Sequence, residues 1–410
     1  MSPMALLLVL LVLAYIGSLW AASGRRRAFG SPSGIEYVVL GALLGPEALD
    51  ALSHEAMTAF EPIALVALGW VGLIFGLECG MVGERRASLA RMSLGLFFSV
   101  VTVGFVGGAC YLLLTELRTE HQLSVWLSCA LALVSVETTR HALQWISEEH
   151  MLSGSLAGLV LDLEAADDAP VLLALAGLFA LLSGNHEIFG QQVAPLAMAG
   201  VTIGSGVMLG AVSGWLIAKA SSPVERWTIL LGSVWLVTGM ARSLGLSALA
   251  ATFTLGATLS AFSRDAGNLR RQLGHTEGAV LLPALLLAGA HVARPESELE
   301  VMLIGSALGL RVVLSFLFGM GLSLKRSETR GLGLWIGAGM LAPGSLTVLV
   351  GFAMTLRCPP EIARPALTLA VVGTLLGELV GPRALKHILH RFTSAPPSPP
   401  PPRPSLEQVS

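Results

Sequence analysis

The feature that most constrains this sequence is a series of long apolar segments that follow one another almost from end to end. Hydrophobic residues make up 54 % of the 410 residues, and charged residues only 13 %. A water-soluble surface needs more charge than this, whereas a helix that crosses a bilayer needs about 20 apolar residues. We therefore expect most of the chain to lie within lipid. This expectation leaves no room for a separate soluble domain and excludes a nucleic-acid partner.

Thirteen of the apolar segments are long enough to be interpreted as membrane-spanning helices. The two segments beside Arg242 are separate helices if the chain turns sharply from Ala241 to Gly245. The predicted fold class is an all-α integral membrane protein, with a transmembrane domain at 1–393 and a disordered Pro-rich cytoplasmic tail at 394–410. The thirteen segments fall at 3–21, 35–52, 60–80, 92–115, 123–144, 153–182, 193–219, 226–243, 245–262, 277–292, 300–323, 331–356 and 365–389.

The distribution of Lys and Arg predicts the orientation of these spans. Short cytoplasmic loops retain Lys and Arg, so the richer set of alternate loops marks the cytoplasmic side. The set that begins with Arg25 holds 19 basic residues, the opposite set holds 5, and Arg311 lies inside a span. We therefore expect a multi-pass protein of the bacterial inner membrane with its amino terminus outside and its carboxyl terminus in the cytoplasm.

The Cys and His residues give no sign of a metal site, a disulfide framework or another cofactor. Cys79, Cys110, Cys129 and Cys358 lack the CxxC spacing of a zinc site, and no HExxH pattern occurs. Small apolar packing is the expected role of the cysteines. No cofactor is predicted.

The most informative polar feature is the run LVLDLEAADDAPVLL from Leu159 to Leu173, in which four carboxylates interrupt an apolar span. At 100° per residue, Glu164, Asp167 and Asp168 share one helix face and Asp162 points away. Each ionised group at the centre of a bilayer costs at least about 2.5–3.5 kcal/mol, so such groups persist mainly where they line a pathway or pair with other charges. The simpler alternative is that these acids pair with arginines inside a helix bundle.

The shared face suggests competition between a proton and a metal cation. Neighbouring carboxylates repel, and burial disfavours their charged forms, so a proton is readily taken up when no cation is bound. Hard monovalent cations prefer oxygen ligands, which carboxylates, hydroxyls and unpaired carbonyls supply. Pro170 removes a backbone donor and can leave a carbonyl unpaired at the same depth.

A single basic residue, Arg311, is expected deep within a span. A buried guanidinium needs a carboxylate partner, and Glu164, Asp167 or Asp168 is the simplest choice. The alternative is a short helix whose arginine extends to the membrane surface.

Two spans show signs of interruption. Ala342-Pro343-Gly344-Ser345 lies within the span 331–356, where Pro343 and Gly344 break the helical hydrogen bonding and leave helix ends that can face an ion. The span 123–144 holds Glu137 and Thr138 in a polar cluster near its end. That cluster is either a second break or the cytoplasmic end of the helix. Interrupted helices in corresponding positions of two halves are typical of a transporter site.

Five stretches, in this order, resemble the monovalent cation:proton antiporter superfamily, which includes bacterial sodium/proton antiporters and potassium-efflux transporters. They include a segment that ends in LLGP, a segment that ends in GLECG and the paired acids of the ion site. The resemblance covers nearly the whole membrane region. The five stretches are Gly34–Pro46, Leu65–Gly80, Asp167 with Asp168, Leu244–Ser260 and Leu281–His291.

The resemblance implies two inverted repeats that form a core ion-translocation domain and a dimerisation domain, with broken crossing helices and elevator-type movement in a homodimer. It implies that Na⁺, or alternatively K⁺ or Li⁺, exchanges for H⁺. Asp168 would be the principal cation and proton ligand, Asp167 its neighbour and Arg311 the counter-charge. The sequence departs from the family pattern in combining Asp-Asp with arginine, and in having Ser135-Val136-Glu137-Thr138 in the fifth span.

Two other functions compete with the antiporter. One is a transport-impaired relative that acts as a sensor or scaffold, as the altered fifth span and a twelfth span without the family's acidic residue suggest. The other is an intramembrane aspartyl hydrolase, but adjacent Asp167 and Asp168 on one helix cannot straddle a peptide bond. The sequence therefore predicts a transporter and not an enzyme.

Overall fold

Helices form nearly all of the regular structure. The computed structural model describes residues 12, 34–79, 81–82, 85–86, 88–136, 162, 168–184, 186–188, 191–263, 266–325, 334–341 and 344–393. The described helices are α1 (Ile35–Leu44), α2 (His54–Glu78), α3 (Leu89–Glu116), α4 (His121–Leu133), α5 (Asp168–Leu182), α6 (Pro195–Lys219), α7 (Pro223–Ser243), α8 (Ala248–Phe262), α9 (Ala266–Ala290), α10 (Glu298–Lys325), α11 (Leu334–Gly339), α12 (Ser345–Thr355) and α13 (Pro360–Thr393). The predicted first span and the tail at 394–410 lie outside the described residues.

Two short antiparallel hairpins, absent from the sequence prediction, lie between helices. Strands β1 (Met81–Val82) and β2 (Arg85–Arg86) connect α2 to α3. Strands β3 (His186–Ile188) and β4 (Gln191–Val193) connect α5 to α6. Both pairs are too short to form a layer of their own, so the all-helical class holds for the described spans.

Six of the described helices are long and apolar enough to cross a membrane. They are α2, α3, α6, α9, α10 and α13, and each corresponds to a span predicted from the sequence. Large apolar side chains on α3, α6 and α7 are exposed, including Phe97, Met208 and Trp235. Such faces are stable against lipid. The chain is therefore a multi-pass membrane protein.

Helix α1 is shorter than the predicted span 35–52. It ends at Leu44, and residues 45–49 turn away from the helix axis. The cause is Pro46, because a proline disfavours helical backbone at the residue before it; Gly45 is accordingly extended. Ten residues give about 15 Å of helix, roughly half of a bilayer core of about 30 Å.

The helices pack mainly in two groups, with α5 between them. The scaffold group contains α1, α2, α6, α7, α8 and α9, and the broken-helix group contains α3, α4, α10, α11, α12 and α13. Helix α5 contacts α6 and α8 of the scaffold group, and α3, α4 and α12 of the broken-helix group. Its side chains Leu172, Leu175 and Phe179 are buried. Residues on α5 are thus held where the two groups meet.

Small residues allow the scaffold helices to approach closely. A Cβ atom on Gly256 of α8 would clash with the carbonyl oxygen of Leu73 on α2. Nearby, the Trp70 ring stacks on Trp227 of α7 with 5.6 Å between ring centroids, and Trp70 Nε1 donates to Thr276 Oγ1 of α9 at 3.1 Å. Close backbone approach drives helix association where lipid removes the hydrophobic force. The scaffold group is accordingly tightly packed.

We expect Gly256→Ala to destabilise the protein by about 1–3 kcal/mol, because the added methyl group forces α2 and α8 apart. Gly232→Ala on α7 is the matched control, since no atom lies within 4 Å of a Cβ built there. Thermal unfolding in detergent, followed by tryptophan fluorescence, measures the difference. Equal melting temperatures for the two variants would contradict the proposed close contact.

Candidate functional site

The structure places four of the predicted site residues in buried positions. Asp168 lies at the start of the described part of α5, and Arg311 lies in α10; each is 5 % exposed. Gly344 caps the start of α12, and Ser345 is its first residue. The other predicted site residues lie outside the described residues; these are Glu137, Thr138, Glu164, Asp167 and Pro343.

Helix α4 ends inside the protein and not at its surface. The helix ends at Leu133, well before residue 144, where the predicted span ends. Ser135 Oγ donates to the Leu131 carbonyl oxygen at 2.7 Å, and Ser135 and Val136 are both buried. The last turn of a helix leaves carbonyl groups without intrahelical partners. Residues 137–144, on which the two interpretations of this span differ, lie outside the described residues.

An interruption separates α11 from α12. Helix α11 ends at Gly339, and α12 begins at Ser345 after an extended Gly344. Ser345 is 1 % exposed, and its Oγ has no hydrogen-bond partner in the described part of the chain. The first N–H groups of α12 also lack intrahelical partners and carry the positive end of the helix dipole. The start of α12 therefore places backbone N–H donors and the Ser345 hydroxyl group in the interior.

Helix α5, whose described part begins at Asp168, contacts both α4 and α12. A carboxylate, a hydroxyl oxygen and the carbonyl groups of a helix end are all oxygen ligands of the kind that hard cations take. Where unwound backbone lies at membrane depth, it is tolerated when it lines a cavity or is buried in protein.

Arg311 lies near the middle of α10, about 20 Å from either end of the helix. An arginine side chain cannot reach a membrane surface over that distance. Its low exposure confirms that the guanidinium is directed into the protein. Helix α10 contacts α3, α4, α11 and α13, so Arg311 belongs to the broken-helix group. Of the two sequence readings, the buried arginine is the one that fits.

Asp162, the acid predicted to point away from the shared face, pairs with an arginine. Arg91 Nη1 donates to Asp162 Oδ2 at 3.3 Å. The Asp162 side chain is 1 % exposed and the Arg91 side chain 24 %. For this carboxylate, the simpler alternative of an arginine pair is correct. The sequence signal for this partner is weak, because Arg91 stands directly before the predicted span 92–115 and not inside a span.

We expect Arg91→Ala to destabilise the protein by about 1–3 kcal/mol, because it leaves a buried carboxylate without its donor. Adding Asp162→Asn to this variant should restore part of the loss, since a neutral amide costs less to bury. Arg383→Ala is the control, because Arg383 is exposed and its Nη1 donates to the Leu379 carbonyl oxygen of its own helix at 2.7 Å. Denaturation midpoints in detergent test this; a double variant no more stable than Arg91→Ala would count against the pair.

Two hydrogen bonds join other elements to the α7–α8 turn of the scaffold group. Ser183 Oγ, at the end of α5, donates to the Gly245 carbonyl oxygen at 3.0 Å. Arg357 Nη2, in the α12–α13 turn, donates to the Arg242 carbonyl oxygen at 2.7 Å. These contacts are not predicted by the sequence. Arg242 and Arg357 belong to the set of loops that holds only 5 basic residues. The rarity of arginine in these loops is the sequence feature that could have indicated a role for them.

These features define a class: a multi-pass helical membrane protein in which a helix with a buried acid contacts one helix that ends among buried residues and another that follows an interruption, features that secondary transporters share. Two solved structures of the sodium proton antiporter from Methanocaldococcus jannaschii are similar to this chain. One, determined at pH 8, superposes with a TM-score of 0.60 at 14 % identity and covers 94 % of this chain and 99 % of that one. The other, from electron microscopy, has a TM-score of 0.60 at 16 % identity and covers 98 % and 100 %.

At these identities the likeness shows the fold alone. No protein-family model matches the sequence, and a search of curated proteins found no significant match. The chain therefore shares the fold of this sodium proton antiporter, which agrees with the fold that the sequence resemblance implies.

Proposed function

We propose that the protein is a secondary antiporter that exchanges a monovalent cation, Na⁺ or alternatively K⁺ or Li⁺, for H⁺. The observation that carries this proposal is the buried carboxyl group of Asp168 on α5, the helix that contacts both α4 and α12. The similar structures are those of a sodium proton antiporter, which agrees with this choice.

The chemistry is competition for the same oxygen atoms. Asp168 accepts a proton when the site holds no cation, and releases it when a cation binds, because a second positive charge in a poorly hydrated site is unfavourable. Asp167 is the proposed second carboxylate, and Glu164, Glu137 and Thr138 are further candidate ligands. Their side-chain oxygens are of the type that alkali cations bind.

Arg311 is the proposed counter-charge. A guanidinium does not release its proton in the working pH range, so Arg311 stabilises the carboxylates without carrying a proton itself. The protons that move must therefore be held by the acids. The proposed pairing with Asp167 and Asp168 agrees with the burial of Arg311 in the broken-helix group.

Alternating access is proposed to occur by elevator movement of the broken-helix group against the scaffold group. The buried end of α4 and the interruption before α12 support two inverted repeats, which would form a core domain and a dimerisation domain. The hydrogen bonds of Ser183 and Arg357 to the α7–α8 turn would have to break in such a movement. A homodimer in the bacterial inner membrane, with the amino terminus outside, completes the proposal.

Exchange by purified protein in liposomes tests this function. Vesicles that hold a pH-sensitive dye are first acidified inside and then given Na⁺, K⁺ or Li⁺. An antiporter restores the dye fluorescence with at least one of these cations, and a pulse of choline, a large organic cation, serves as the control. No response to any cation would overturn the proposal.

One observation keeps a transport-impaired sensor or scaffold as a second candidate. Ser135, in the altered fifth span, donates its hydroxyl proton to the Leu131 carbonyl oxygen, so this hydroxyl is already hydrogen-bonded within its own helix. A scaffold would fold normally and give no fluorescence change in the liposome assay.

A further inference from the structure

The surface of the scaffold group carries a groove that the proposed exchange does not use. It lies at the end of the α6–α7 hairpin, has a volume of about 390 Å³ and is open to the side of the protein. Leu216 and Lys219 line it from the last turns of α6, and Val224, Glu225 and Ile229 line it from the first turns of α7.

The groove lies at a membrane surface. Lys219 is the last residue of the span Pro195–Lys219, so the groove begins where α6 leaves the apolar layer. Trp215, one turn earlier, is largely exposed. Tryptophan is enriched at the level of lipid headgroups, and the predicted orientation puts this hairpin on the cytoplasmic side.

The two charged side chains that line the groove, Lys219 and Glu225, differ in the interactions they make. The Lys219 Nζ atom lies 3.7 Å from the centroid of the Trp215 ring, and no ion pair of Lys219 occurs among the described residues. Glu225, in contrast, forms hydrogen bonds at the start of its own helix. Its Oε2 accepts a hydrogen bond from the Ser221 backbone N–H at 2.7 Å, and its own N–H donates to Ser222 Oγ at 3.2 Å. These two hydrogen bonds hold Glu225 at the start of its own helix, where the helix dipole also stabilises its negative charge, so the Lys219 ammonium is the charge with which a bound anion can pair.

Apolar side chains continue from the groove along the hairpin. Leu216, Val224 and Ile229 form its walls. Val212 on α6 and Leu231 and Trp235 on α7 extend an exposed apolar surface towards the middle of the span. A cation above an apolar strip matches a molecule with a negative head and a hydrocarbon tail.

We propose that this groove binds a phospholipid with an anionic headgroup, with its phosphate at Lys219 and an acyl chain along the α6–α7 surface. The three N–H donors of a lysine suit phosphate oxygens. A second copy of the chain is a poorer occupant, because protein packed over the groove would bury the ammonium beside a carboxylate that is already hydrogen-bonded elsewhere. This inference does not depend on the exchange activity.

Native mass spectrometry of the full-length protein tests it, with added phosphatidylglycerol or phosphatidylcholine of identical acyl chains. We expect preferential binding of phosphatidylglycerol, weakened about fivefold by Lys219→Gln and retained by Lys219→Arg, because one basic residue near anionic lipid contributes about 1 kcal/mol. Arg383→Gln removes an exposed arginine of α13 and should leave binding unchanged.

Three results would overturn the site. Equal binding of the two lipids would show that the headgroup is not recognised. Equal weakening by Lys219→Gln and Arg383→Gln would show that only overall charge matters. A monomer–dimer equilibrium that shifts in Lys219→Gln, with lipid binding unchanged, would assign the groove to a second copy. A failure of the liposome exchange assay would not change the interpretation of these three results.

Discussion

Asp168→Asn is expected to abolish cation-dependent proton movement in liposomes while the protein still folds. The amide has nearly the same shape as the carboxyl group but can neither take up a proton nor hold a negative charge. Because Asp168 is buried on the helix that contacts both α4 and α12, water cannot readily replace its carboxylate as a ligand. A loss of at least about a hundredfold in initial exchange rate is expected for an essential proton-transferring group.

Asp162→Asn is the matched control for this loss. Asp162 is also buried, but its carboxylate is engaged by Arg91. We therefore expect this variant to retain exchange and to be less stable. Full exchange in Asp168→Asn would refute the ligand assignment. Loss of exchange in both variants would instead indicate that the whole acidic segment acts as a unit.

Asp168→Glu tests whether the position of the carboxyl group matters as well as its charge. Asp168→Glu retains the carboxyl group but moves it outward by one methylene group, which changes the distance to any bound cation. Partial exchange with altered preference among Na⁺, K⁺ and Li⁺ would support direct coordination, since the fit of a hard cation depends on ligand placement. Unchanged preference would place the cation elsewhere.

Much of the helical framework could be predicted from the sequence because lipid imposes a simple rule on length and polarity. The predicted turn from Ala241 to Gly245 occurs as expected: α7 ends at Ser243, and Gly245 adopts a left-handed φ of 68°. The predicted spans 92–115 and 300–323 correspond to α3 and α10. Long apolar runs must satisfy their backbone hydrogen bonds as helices, so their existence is well determined.

Helix ends inside the membrane were harder to predict. The end of α4 at Leu133 has no Gly or Pro to mark it, and it depends on packing around Ser135 and Val136 that the local sequence does not encode. Similarly, the arginine partner of Asp162 lies 71 residues away in the chain. Pairings of this kind arise from tertiary contacts, whereas the charge of each partner is visible in the sequence.

Arg311→Ala is expected to destabilise the protein by about 3–5 kcal/mol, because removing one partner of a buried charge pair leaves the other charge uncompensated. Arg311 is 5 % exposed near the middle of α10, so water cannot take over its role. Arg311→Lys should recover part of the stability, but it loses the planar fork that contacts carboxylates in two places. Melting temperatures in detergent measure both changes.

Arg294→Ala provides the control for Arg311. Its side chain is 82 % exposed, and its Nε lies 4.0 Å from Glu47 Oε2, so its contribution to stability is at most about 1 kcal/mol. If Arg311 is the counter-charge of Asp168, the two replacements should not act independently. Arg311→Ala should then lower cation affinity less in a variant in which Asp168 is also replaced. A melting temperature for Arg311→Ala equal to that of Arg294→Ala would mean that the guanidinium compensates no buried acid, and the counter-charge would then have to be sought elsewhere.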